Sequence, residues 1–118
     1  MATIKKKLEK DIQREICEYL TERKLFFWRQ NNIPVFGRNN AGVMTFRSMS
    51  KYTPKGLPDI MILRDGFFIG LEVKMDSKKK LSEDQIEIQR QFINNGAMYH
   101  KVCSVEEVQK ILAVFTTW

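Results

Sequence analysis

The 118-residue sequence predicts a single α/β domain, a mixed β-sheet flanked by helices in the order α-β-β-β-α-β-α. Three observations carry this. Residues 5–23 and the stretch after Ser104 repeat apolar side chains every three or four positions, the period of an amphipathic helix. Two short runs rich in Ile, Val and Phe meet at Asp65-Gly66, the strongest local signal for a β-hairpin with a tight turn. Ser82-Glu83-Asp84-Gln85 and Ser104-Val105-Glu106-Glu107 have the form of capping boxes that open helices.

The first helix is drawn by Leu8, Ile12, Ile16, Tyr19 and Leu20. On a helical wheel Glu9 falls inside their apolar arc, with Gln13 at its edge, and a carboxylate there needs a partner. Glu15 at the opposite edge competes for that role, and Glu9 turned outward at the helix start, favoured by the macrodipole, is the plain alternative. Residues 25–29 read as a short aromatic strand. The region 35–54 fits a hairpin or a long mobile loop, since Gly37, Asn39-Asn40 and Gly42 are turn formers while 43–47 has strand character.

Residues 55–74 are the centre of the chain. With Asp65 and Gly66 as the loop, Leu63 pairs with Phe68, Met61 with Gly70 and Asp59 with Glu72. Asp59, Glu72 and Lys74 then share one face, and Ile60, Ile62, Ile69, Leu71 and Val73 fill the other. Two carboxylates about 5 Å apart repel by roughly 3 kcal/mol at an effective dielectric near 20. Such a pair, if buried, calls for a cation: Lys74, or a divalent metal that favours oxygen ligands. A solvated hairpin face that tolerates the repulsion is the competing reading. Pro58 forces an extended entry into this strand, and Gly56 permits a close approach, by a ligand for example.

Beyond the hairpin, Gln85 and Gln89 lie in the middle of the apolar arc of the helix that Asn94-Asn95-Gly96 closes. Their amides want partners, and an active-site carboxylate or a phosphate would serve, although capping alone accounts for Gln85. Residues 97–103 read as a strand with the lone His100, and Val108, Ile111, Leu112 and Phe115 stripe the last helix.

Composition bounds the rest. With 43% hydrophobic residues, no low-complexity tract and no apolar run of membrane-spanning length, the chain is expected to be soluble and cytoplasmic, one domain over 1–118. Cys17 and Cys103 are expected as buried, reduced thiols. The net charge of +6 is unevenly placed. From Arg23 to Pro58 the chain carries Arg23, Lys24, Arg29, Arg38, Arg47, Lys51 and Lys55 with no acid, among six aromatic residues. Lys78, Lys79 and Lys80 form a second cluster. A phosphate backbone selects such segments, while a solvated loop with inward aromatics is the alternative; two clusters flanking an acidic pair favour a nucleic-acid partner.

The ordered set of a carboxylate in the first helix, Gly56-Leu57-Pro58-Asp59, Glu72-Val73-Lys74 and Gln85 resembles the PD-(D/E)XK nuclease superfamily. Glu9 with Gln13, Trp28-Arg29-Gln30-Asn31, the glycine two before Pro-Asp, and Leu81-Ser82 leading to Gln85 look like its virus-type replication-repair nuclease (VRR-NUC) domain. The likeness runs from Leu8 to Leu112. It implies a restriction-endonuclease-like core and hydrolysis of DNA phosphodiester bonds. Asp59, Glu72 and the carbonyl of Val73 would hold Mg²⁺ or Mn²⁺, with Glu9, or Glu15, as a further ligand or orienter. Lys74 would position the attacking water, and Gln85 would brace the set. Similar stand-alone phage domains are homodimers acting on branched DNA, which implies resolution of four-way (Holliday) junctions in DNA repair, in the host cytoplasm if phage-encoded. A flap or single-strand nuclease, and a non-catalytic nucleic-acid-binding module, are the alternatives. Arg29, Arg38, Arg47, Lys51, Lys55, Lys78 and Lys79 are the candidate phosphate contacts.

Overall fold

A four-stranded sheet in the order β1-β4-β5-β6 carries three helices, and a separate two-stranded hairpin, β2-β3, stands beside it in the chain. The computed structural model describes residues 7–30, 35–38, 40–42, 44–47 and 51–115, with 35–38 and 44–47 described by backbone alone. The elements are α1 (Glu9–Glu22), β1 (Phe27–Arg29), β2 (Val35–Arg38), β3 (Met44–Arg47), β4 (Ile60–Arg64), β5 (Phe67–Val73), α2 (Glu83–Asn94), β6 (Met98–Val102) and α3 (Val105–Leu112). The α/β class holds. The predicted order is two strands short, because 35–54 contributes the β2-β3 hairpin.

The turn between β4 and β5 takes positive φ at both Asp65 and Gly66, which matches the right-handed twist of the strands and locks the register. Ile60 faces Leu71, Ile62 faces Ile69 and Arg64 faces Phe67, as the hairpin signal predicts. β6 joins β5 in parallel, and α2 makes the crossover that a parallel pair requires.

The sheet's two faces differ. Ile60, Ile62, Ile69, Leu71, Val73 and Val102 meet Ile12, Ile16 and Leu20 of α1 and Val108 and Leu112 of α3 in one core. Fully burying a side chain such as Ile16 is worth about 1.5–3 kcal/mol, so this face supplies most of the drive to fold. The opposite face bears Met61, Gly70, Glu72 and Tyr99 and takes α2. Gly70 has no side chain because Pro58 and Phe92 occupy the space; a Cβ there would lie 2.6 Å from Pro58 Cγ. Among the described residues, no helix is long and apolar enough to cross a membrane. Cys17 and Cys103 are free thiols, half-buried and not fully buried as expected.

Candidate active site

The register continues one step past Ile60 and Leu71, and this step sets Asp59 against Glu72. Lys74 N–H donates to the Val102 carbonyl at 2.9 Å, so even-numbered residues of β5 turn their backbone groups to β6 and odd ones to β4. Asp59 and Glu72 are therefore a pair without mutual backbone bonds, the geometry that brings side chains closest. Val73 should find its next ladder partner in residue 58. Pro58 has no N–H, so the ladder offers the Val73 carbonyl no donor, while Val73 N–H turns to Asp59 Oδ2 at 2.9 Å. Gln30 N–H donates to the Asp59 carbonyl at 2.7 Å and fixes its backbone from the other side.

Among the described residues, Glu72 is the one charged side chain that is buried, 5% exposed. Burial first, and then the charge of Asp59, push its carboxyl up to about 8. Asp59 is also raised by burial, but the Val73 N–H, a hydrogen bond from Glu72 and the charge of Lys74 work against the rise. Without a metal both carboxyls are thus raised, and the pair as a whole resists holding two negative charges. Lys74 Nζ lies 3.5 Å from Glu72 Oε2, its side chain 16% exposed. One ammonium does not ionise the pair. A divalent cation fits two hard carboxylates with a charge deficit beside a carbonyl to which Pro58 cannot donate, and would displace protons from the pair.

Glu9 begins α1, exposed, and its charge adds to the rise of Asp59. No group of three His, Cys, Asp or Glu side chains that could hold a metal occurs among the described residues. Glu15 pairs instead with Lys7 at 2.9 Å. Gln85 Oε1 accepts Ser82 N–H at 2.9 Å while Gln85 N–H donates to Ser82 Oγ at 3.2 Å. Its described bonds therefore brace the start of α2 and not the acids. The close approach permitted by Gly56 is likewise structural. Its φ of +92° and its contact with the Asp84 and Gln85 backbone, 2.6 Å from an added Cβ, seat the loop on the N-terminus of α2. Gln89 donates to the Tyr99 carbonyl at 3.0 Å, satisfying an edge-strand acceptor.

Two residues escaped the sequence reading. Tyr99 donates its hydroxyl to the Gly56 carbonyl at 3.0 Å and packs edge-on against Phe92. Burial and the two acids raise its pKa and keep it a donor, so it ties down the loop that presents Asp59. Lys101 lies beside Glu72 in the β5-β6 register. Its ammonium donates to the Ser77 and Lys79 carbonyls at 3.1 and 2.8 Å, and Asp76 Oδ1 accepts from the N–H groups of Lys78 and Lys79. Both contacts cross the α2 connection, so only a parallel register, which no local signal specifies, would have found them.

The basic residues are dispersed. Lys78 and Lys79 are exposed on the turn that Lys101 holds. Lys55 is exposed, and Lys51 sits 5.1 Å over the Tyr52 ring. Arg29 donates from Nε to Gln13 Oε1 at 2.7 Å, which places it on the α1 side, across the sheet from the acids. Arg38 and Arg47 belong to the β2-β3 hairpin, and their side chains lie outside the described residues.

A mixed sheet with an acidic pair at the mouth of its central hairpin and helices on both faces defines a restriction-endonuclease-like fold. A solved structure described as a VRR_NUC domain superposes with a TM-score of 0.64, covering 91% of this chain and 96% of that one at 19% identity. The chain has the fold of a VRR-NUC domain. No family model matches the sequence, and no curated protein does.

Proposed function

We propose that the protein is a Mg²⁺- or Mn²⁺-dependent, structure-selective DNA endonuclease that acts in the cytoplasm as a homodimer on branched DNA, four-way junctions first. The observation that carries this reading is the buried Asp59–Glu72 pair, short of positive charge, beside Lys74. Asp59, Glu72 and the Val73 carbonyl would hold the ion, with Glu9 orienting groups from the first turn of α1. A divalent ion there supplies Lewis-acid stabilisation and acidifies water, which side chains alone do poorly. Lys74 places its ammonium where charge develops on the phosphorane and holds the attacking water in line. Tyr99, through Gly56, steadies the loop that leads to Asp59, and Gln85, through its cap, steadies the start of α2 on which that loop rests. Lys51, Lys55, Lys78, Lys79, Arg29, Arg38 and Arg47 contact phosphates.

Asp59→Ala and Glu72→Ala are expected to abolish cleavage of labelled four-way, flap and duplex DNA in Mg²⁺ and to leave binding in Ca²⁺ intact. Cleavage that persists in EDTA or in the Glu72→Ala protein would overturn the mechanism.

A further inference from the structure

The registers of the three strand pairs can be read across the sheet as rows. Gln30, Asp59, Glu72 and Lys101 form one row on the α2 face, and Trp28, Met61, Gly70 and Tyr99 form the next. Trp28 thus lies on the same face as the acids, one strand across and about 7 Å along, from the rise of two strand residues. α2 covers β6 and Gly70 but leaves the β1 end open. There Trp28 is 36% and Phe26 66% exposed.

These two rings are organised. They stand edge to face, 6.0 Å between centroids at 66°, and the Trp28 indole N–H donates to Gln30 Oε1 at 3.1 Å. Gln30 in turn binds the Asp59 backbone, so the indole is coupled to the acidic row. The surrounding charge suits a polyanion: Arg23 and Lys24 lie just before Leu25-Phe26, and no acid occurs between Arg23 and Pro58.

We infer that Phe26 and Trp28 form a stacking platform for one unpaired nucleobase adjoining the phosphate to be cut at the Asp59–Glu72 site, a reading that rests on the nuclease function proposed above. Stacking on an exposed indole is tolerant of base identity, so the platform selects for an unstacked nucleotide and not for a sequence. The substrate class narrows to DNA with a splayed or single-stranded nucleotide beside the cut.

The test is binding in Ca²⁺ to a duplex, to the same duplex with a single-stranded arm, and to a four-way junction, with 2-aminopurine at the nucleotide next to the branch. Wild-type protein should favour the armed DNA and quench its probe. Trp28→Ala should lose about tenfold in affinity for armed DNA, lose the quench, and bind duplex unchanged; Trp28→Phe should keep most of both, and Phe26→Ala should fall between. Equal losses on duplex and armed DNA, or an unchanged quench in Trp28→Ala, would overturn the platform. So would a shift of Trp28→Ala in sedimentation with no change in DNA binding, which would make the aromatic pair a protein interface. Failure of wild-type protein to cut any of the three in Mg²⁺ rejects the nuclease reading separately, because the binding assay does not need cleavage.

Discussion

Burial and Asp59 outweigh a single lysine and raise the Glu72 carboxyl, and this has a consequence for folding. The folded carboxyl titrates at about 8, against 4.5 for an ordinary glutamate. Between those values the folded state binds more protons than the unfolded one, so stability falls as pH rises through this window. Metal-free protein in EDTA should therefore melt at progressively lower temperature from pH 5 to pH 8. Glu72→Gln should flatten that slope, and Mg²⁺ should restore the wild-type loss at pH 8. A Tm that rises with pH in EDTA would contradict the buried, protonated pair. At this scale the sequence was informative wherever the information was local. Asp59 and Glu72 follow from counting back from Asp65-Gly66, whereas Tyr99 and Lys101 reach the site through a parallel pairing whose register is set by tertiary packing. Gln85 shows the converse: its place in an apolar arc is visible, but the cap claims its carbonyl oxygen.

Among the elements, α2 is held at both ends of its contact with the site. Its first turn rests on Gly56 and its Phe92 on Gly70 and Tyr99. Gly56→Ala brings a Cβ against the helix backbone at a φ that disfavours any side chain, and should cost about 1–3 kcal/mol by chemical denaturation. Because the same loop presents Asp59, cleavage should fall further than stability alone explains. Ile16→Ala, on the other face, should cost about 2–5 kcal/mol and leave the cleavage rate of the folded fraction unchanged. α1 was legible from its apolar period, α2 and α3 because period and Ser caps agree, and β4-β5 because the turn demands its own residues. β2 and β3 were not, since four-residue strands between turn formers carry too little periodicity to separate a hairpin from a loop.

For the whole molecule, the excess of positive charge is the relevant quantity. Lys78 and Lys79 are carried on a turn that Lys101 and Asp76 fix from within, so their charges are displayed with little freedom. Replacing both by Ala should weaken DNA binding across sequences and reduce the slope of log K against log salt by about 2. The same measurement on Lys51→Ala and Arg47→Ala tests the basic segment that precedes the hairpin. An unchanged slope would assign these lysines to solubility.

Pro58 gives the molecule a property that none of its charged residues explains. An ordinary residue there would donate to Val73, lengthen the hairpin by one rung and close the sheet at this corner. The proline stops the zipper one rung early, and this is the end of the hairpin where both acids and the Val73 carbonyl lie. Under the proposed function, reactivity resides at an arrested edge of secondary structure. A variant that completed the ladder would trade a working corner for a sturdier one.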